Sequence, residues 1–214
     1  MSAPSRDDLR TLSPGLQRFD LGHIPPEPWR NGGGWTRTVA ATHVGTRLRW
    51  RISAADITAP GPFSVFDGVD RTAVLMRGAG LTLQGPQERW VFEGVGAVAR
   101  FPGELSLQAT PRPAGAARLW NVMVDRATLR ADVVVHRAEV GQVERISAGV
   151  RVVVLVVLVV LVVLEGTLQV TTPGALPLSL GPDEGLWLSD LSQPLALQAE
   201  HGPAQWVMTT FLPR

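Results

Sequence analysis

The sequence predicts an all-β protein, two barrel-like β-sandwiches in tandem with few short helices, and three observations carry that expectation. Seventeen Pro and twenty-two Gly punctuate the 214 residues so closely that long helices have little room. Between these breaks, apolar residues alternate with polar ones at the period of a strand that buries one face. The same turn-and-strand grammar then recurs in the second half of the chain.

Met1 to Arg10 includes Asp7 and Asp8 and no apolar stretch of the kind a signal peptide needs. Residues 1–15 are therefore expected to be a disordered or extended segment, and the cytoplasm is the default location. Leu48–Ala54 sets Leu48, Trp50 and Ile52 against Arg49, Arg51 and Ser53, the pattern of a strand with one buried face. Thr72–Met76 and Leu81–Leu83 flank Arg77-Gly78-Ala79-Gly80, whose glycines suit a tight hairpin. Gly166 follows the next long apolar run and stands 88 positions after Gly78, with Thr167–Val170 resuming the strand pattern. Phe101–Leu105 and Asp183–Leu188 form a second recurrence of turn and apolar strand. Two copies of one unit of about 100 residues account for this better than a single large sandwich. Polar stretches at Arg126–Arg130 and Arg137–Gln142 place the boundary, giving a first barrel over 16–130 and a second over 131–214. Val152–Leu164, thirteen consecutive Val and Leu residues, is too short to span a bilayer as a helix. Its β-branched content marks it as a buried strand.

Composition removes several kinds of chemistry. A formal charge of +1 gives no long-range field to gather nucleic acid or an anionic membrane, so neither is an expected partner. Residues 1–120 carry fourteen Arg against ten acidic residues, and 121–214 carry six against nine, a tilt that favours an anion site in the first half. Every basic residue is Arg, so there is no Schiff-base lysine and carboxylate recognition falls to guanidinium groups. The absence of Cys excludes disulfides and thiolate chemistry. His23, His43, His136 and His201 are scattered without metal-ligand spacing, so neither a metal nor another cofactor is expected. No serine lies in a nucleophile-elbow motif, and no catalytic residue is assigned.

Four segments are candidates for binding. Pro28–Arg37 reads PWRNGGGWTR: three glycines permit close backbone approach and can form an anion-binding concavity, flanked by Trp29, Arg30, Asn31 and Thr36. A flexible turn is the plain alternative. Arg51 and Ser53 share a strand face that either meets water or lines a barrel interior. Gly61–Arg71 joins turn residues to aromatic anchors and includes Phe63, Ser64, Asp70 and Arg71, the last two also suited to structural pairing. Trp120–Met123 reads as a strand whose Asn121 amide must find partners if buried.

In these segments the sequence resembles the HutD/Ves family. PWRNGGGWTR at 28–37, WRISA at 50–54, GPFSVFDGVDR at 61–71 and NVM at 121–123 occur in the family's order, and a weaker likeness continues from Val163 to the C-terminus. The resemblance implies two cupin-like barrels, a bicupin, without the metal-binding histidines of other cupins. It also implies a link to histidine utilisation through a carboxylate intermediate such as formylglutamate or urocanate. Carried onto this chain, the ligand-facing residues would be Trp29, Arg30, Asn31, Thr36, Arg51, Ser53, Phe63, Ser64, Arg71 and Asn121. Where the family usually places an acidic residue two before the Asn, this chain has Leu119.

Three readings follow. The leading one is a non-catalytic protein that binds a small carboxylate metabolite in the first barrel and regulates or buffers amino-acid catabolism. Arg30 or Arg51 would grip the carboxylate, with Asn31, Ser53 and glycine N–H groups on the remaining oxygens. The second is a metal-independent cupin enzyme, an isomerase or hydrolase with a carboxylate or His43 as base. The third is a structural or interaction module, with the Val/Leu strand extending a sheet between two copies of a homodimer.

Overall fold

The computed structural model describes residues 10–13, 16–112, 115–146, 158–188 and 194–214. They divide between two compact units, one comprising Ile24–Ala131 with Arg214, the other the described part of Ser5–His23 with Asp132–Pro213. Strands β1 (Arg10–Ser13) and β2 (Leu16–Asp20) and a 3-10 turn at Leu21–His23 begin the described chain and belong to the second unit. In the first unit follow β3 (Glu27–Pro28), β4 (Gly34–Val44), β5 (Arg47–Ile57), β6 (Gly61–Phe63), β7 (Val69–Arg77), β8 (Leu81–Gln84), β9 (Arg89–Phe92), β10 (Val98–Pro102), β11 (Leu107–Pro111) and β12 (Ala117–Asp125). The second unit continues with β13 (Leu129–Ala138), whose first residues fall in the first unit. It then holds β14 (Val143–Ile146), β15 (Leu158–Glu165), β16 (Leu168–Thr171), β17 (Leu178–Leu180), β18 (Glu184–Leu188), β19 (Leu195–Ala199) and β20 (Ala204–Pro213).

The first unit pairs its strands as β10-β7-β12-β5-β4-β3 and β6-β11-β8-β9. The second pairs them as β1-β2-β18-β15-β20-β13 and β14-β19-β16-β17. The order β10-β7-β12-β5 thus recurs as β18-β15-β20-β13, and β6-β11-β8-β9 recurs as β14-β19-β16-β17. The protein is one eight-stranded plan used twice. In each unit the two sheets are separate hydrogen-bonded layers, an open sandwich. The first core joins Leu75 and Leu119 to Leu81, Leu83 and Leu107 across the layers. The second joins Leu161 and Trp206 to Leu168, Leu180 and Leu197.

The glycine corners set this plan, but not in the way expected. Gly78 (φ 107°) and Gly166 (φ 75°) occupy backbone space closed to side chains. A Cβ would lie 2.6 Å from Ala116 O at the first and 2.3 Å from Pro203 O at the second. Each corner hands the chain from one sheet to the other: β7 and β8 are not hairpin partners, and neither are β15 and β16. The reason is burial, because Leu81 and Leu83 pack against Leu75 across the core and cannot do so from the adjacent ladder position. The second sequence recurrence also shifts, since Gly103 follows β10 whereas Gly185 lies inside β18.

Three other expectations meet the structure here. The described part of the Val/Leu run, β15, is a strand between β18 and β20, and Val159–Leu164 are buried on both faces, which is why the apolar run has no polar alternation; residues 152–157 lie outside the described residues. Residues 16–20, expected in the first barrel, instead pair with β18 (Leu16 with Leu188, Asp20 with Glu184), burying Leu16 and Phe19 and covering an edge that would otherwise be open. Arg10–Ser13 of the expected N-terminal segment forms β1 against β2. No helix among the described residues is long and apolar enough to cross a membrane.

Candidate functional site

Residues opposite one another in a sheet share a face, so the strand registers of the first unit define rows across its interior. One row runs Phe101 (β10), Arg71 (β7), Met123 (β12), Arg51 (β5) and Ala41 (β4). The next is Ala99, Ala73, Asn121, Ser53 and Thr38, and the third holds Leu75, Leu119, Ala55 and Thr36. Leu75 and Leu119 belong to the apolar core. The interior therefore passes from an apolar floor to a polar and cationic layer within two rows. Both faces of β5 are enclosed at this level, since Trp50, Ile52 and Ser53 are all buried. The expected single buried face thus becomes two.

Arg71 is the centre of the layer. Only 4% of it is exposed, and Nη1 donates to Ser64 O (2.7 Å) while Nη2 donates to Asn121 Oδ1 (3.1 Å). Its guanidinium lies 4.3 Å from the Phe63 ring centroid, 5.3 Å from that of Phe101 and 5.4 Å from that of Phe66. All of these partners are neutral, and Nε is buried without an acceptor. Burial, and then the neighbouring Arg51 guanidinium, pull the Arg71 pKa down to about 9, so the group stays charged at neutral pH at a cost. Arg51, half-buried, donates from Nη2 to Thr38 Oγ1 (2.7 Å), and its Nε is likewise buried and unpaired. Burial lowers its pKa, opposed by the Glu27 carboxylate. Neither guanidinium forms an ion pair within 4.0 Å of a carboxylate among the described residues. Two neighbouring guanidinium groups with two orphaned N–H donors have the chemistry to meet oxygen anions.

The glycine loop serves a different purpose from the one expected. Gly32 N donates to Trp29 O (3.1 Å) and Gly33 N to Asn31 Oδ1 (3.0 Å), so the loop consumes its own donors. Gly34 approaches β5 so closely that a Cβ would stand 2.2 Å from Asp56 O. Gly34 pairs with Ile57, six residues along β5 from Arg51, or about 20 Å at strand rise. Arg30 is exposed in the turn, and Asn31 approaches Pro62 O at 3.5 Å. These residues do not meet Arg51. Trp29 does reach inward: its Nε1 donates to Thr36 Oγ1 (2.8 Å), and its ring meets Phe63 edge-on at 6.2 Å. Ser64 is exposed and contributes its carbonyl rather than its hydroxyl.

Of the ten expected residues, Arg51, Ser53, Arg71 and Asn121 share the polar layer, with Phe63 packed on Arg71. Trp29 and Thr36 form the wall behind Phe63, and Arg30, Asn31 and the Ser64 side chain lie apart. Thr38, Phe101 and Met123 were missed. Their signal was strand parity, which becomes readable only once the partners of β5 and β7 are known. A groove of about 320 Å³ lined by Thr46–Leu48 and Val65–Val69 adjoins the layer through Phe66.

The second unit provides an internal contrast. Aligned on the glycine corners, Val163 and Trp206 correspond to Leu75 and Leu119, Leu161 and Met208 to Ala73 and Asn121, and Val159 and Thr210 to Arg71 and Met123. Arg71 thus has no cationic counterpart at that position, which Val159 occupies. His136 of β13 instead stacks on Trp206 (5.4 Å, 9°) with Nδ1 3.0 Å from Glu144. No three His, Asp or Glu among the described residues converge on a metal-sized site.

A duplicated eight-stranded sandwich of this topology has a tandem cupin-type fold. The chain belongs to the HutD family, whose model matches residues 22–205. It is similar to a conserved protein of unknown function from Pseudomonas aeruginosa PAO1 (22% identity, TM-score 0.76, covering 92% of this chain and 98% of that one). It is also similar to HutD from Pseudomonas fluorescens SBW25 (20%, TM-score 0.73, 93% and 99%). A cupin 2 conserved barrel domain protein from Leptotrichia buccalis shares the fold at 10% identity (TM-score 0.59, 92% and 96%). Protein Ves of Citrobacter koseri is 39% identical over 71 residues, 33% of this chain and 37% of that protein, so the match spans little more than a third of the relative.

Proposed function

We propose that this HutD-family chain is a non-catalytic binding protein that holds a small carboxylate metabolite in the first unit and so regulates or buffers histidine or other amino-acid catabolism. The observation that carries the reading is Arg71: a guanidinium 4% exposed, next to a second one, with neutral partners and an unpaired Nε. Burying such a charge without a counterion costs several kcal/mol, roughly, and a bound carboxylate supplies that counterion. Arg51 and Arg71 would hold the carboxylate, Ser53 and Thr38 would meet its remaining oxygens, and Phe63, Phe66 and Phe101 would enclose the rest. The polar layer contains Arg, Ser, Thr and Asn, and the carboxylate that acts on Arg51, Glu27, is exposed on β3, which favours holding over proton transfer. A metabolite of the formylglutamate or urocanate type fits this chemistry.

Calorimetric titration with formylglutamate, urocanate and glutamate tests the reading. The expected result is binding of at least one of them, lost in Arg51→Ala and in Arg71→Met. Silence from all three, or undiminished affinity in Arg51→Ala, would overturn it.

A further inference from the structure

We propose that the outer face of the first unit's six-stranded sheet carries a second site, for a small amphipathic anion: a compact apolar body bearing one carboxylate or phosphate. On this face the registers give one row of Arg100, Thr72 and Val122 and a second of Pro102, Asp70 and Val124. A cavity of about 320 Å³ opens over these rows, and its walls are completed by Arg71, Phe101, Arg130, Ala131 and Arg214. All of its lining residues lie in the first unit. Val122, Val124 and Thr72 are buried and form an apolar floor with one hydroxyl.

The charges around this floor leave positive potential over. Asp70 accepts from Arg126 Nε (2.5 Å) and Arg214 Nη2 (3.0 Å). Arg126 also holds both Glu104 oxygens at 2.9 Å, so the two acids nearby are already neutralised. Arg214 is fixed by its backbone N–H on Thr128 O (3.1 Å). The Arg130 side chain is exposed on the rim and makes no ion pair or hydrogen bond among the described residues. Arg126, Arg130 and Arg214 against Asp70 and Glu104 leave one cation over beside a mostly apolar floor, which is the chemistry of an anion with an apolar face. The volume lies at the small end for ligand sites, suiting a single metabolite rather than a chain.

On β7, Asp70 and Thr72 alternate with Arg71. Arg71 and Phe101 of the inner site border the outer cavity as well, whereas Arg51, Ser53 and Asn121 take no part in it. Benzoate and inorganic phosphate serve as probes, titrated calorimetrically into the full chain. The expected result is benzoate binding that weakens about tenfold or more in Arg130→Gln, the loss of one charge-assisted hydrogen bond. Arg51→Ala should leave it within about twofold, since Arg51 does not line this cavity. Arg100→Gln supplies a second variant, expected to act in the same direction as Arg130→Gln. Unchanged benzoate affinity in both arginine variants, or its loss in Arg51→Ala, would overturn the proposal. So would binding of phosphate with benzoate silent, because the floor would then play no role. If the inner-site titrations fail while Arg130-dependent binding persists, only the inner reading falls.

Discussion

Replacing Arg71 with methionine should leave the protein as stable as before or more so, which is unusual for a buried charged residue. Lowering the Arg71 pKa from 12.5 to about 9 corresponds to about 5 kcal/mol against the charged form, at about 1.4 kcal/mol per unit. The substitution removes that penalty and fills the space with an unbranched apolar chain. Against it stand the Asn121 Oδ1 left without its donor, about 1–3 kcal/mol, and the lost attraction to the Phe63 face, about 1–2 kcal/mol. The balance is a gain of about 0–3 kcal/mol for Arg71→Met, read from urea unfolding followed by tryptophan fluorescence. Folding lowers the pKa of this base, so the unfolded state holds the proton more tightly. The penalty is complete below the folded pKa and fades only as pH rises past about 9, so the gain should be flat between about pH 6 and 8. A carboxylate ligand should raise the melting temperature of the parent protein and not that of the variant. A loss of about 3 kcal/mol or more would refute the reasoning, because that is the signature of breaking a compensated buried ion.

Other substitutions probe separate parts of the argument. Asn121→Ala strips Arg71 of one acceptor in a buried place and should cost about 1–3 kcal/mol in urea unfolding, while Asn31→Ala, at the exposed loop, should cost less than about 1 kcal/mol. Gly34→Ala places a methyl group 2.2 Å from Asp56 O and should lower stability by about 2 kcal/mol or more; a silent substitution would show that the loop yields freely. Hydrogen bonds from Arg126, foremost, hold the Glu104 pKa down to about 2. Its contribution is complete above the ordinary carboxylate range and is lost as pH falls toward 2, so Glu104→Gln should flatten the acid limb of the stability curve between about pH 4.5 and 2. An acid limb identical in the two proteins would contradict that assignment.

The site was legible where one strand's own period sufficed. Arg51 and Ser53 alternate with Trp50 and Ile52, and that alternation alone places them on one face together. Arg71 and Asn121 stood in motif segments, yet nothing local indicated that they would bond to each other across 50 positions of chain. The glycine loop misled for a local reason. Its three glycines suggest donors turned outward, whereas Asn31 folds back onto Gly33 N and the Gly34 backbone closes on β5.

The sequence by itself determined that the chain is β, that its unit is duplicated around glycine corners, and that arginine is the one permanently cationic side chain it has. Those properties follow from strand period, from backbone space that only glycine enters, and from side-chain chemistry, all of which act within a few residues. The tertiary structure decided which sheet each strand joins, that Leu16–Asp20 crosses to the second unit's ladder, and that Arg71 is enclosed by three phenylalanines beside Arg51. Pairing between distant strands is selected by what each face can bury across the core, a property of the whole assembled sheet.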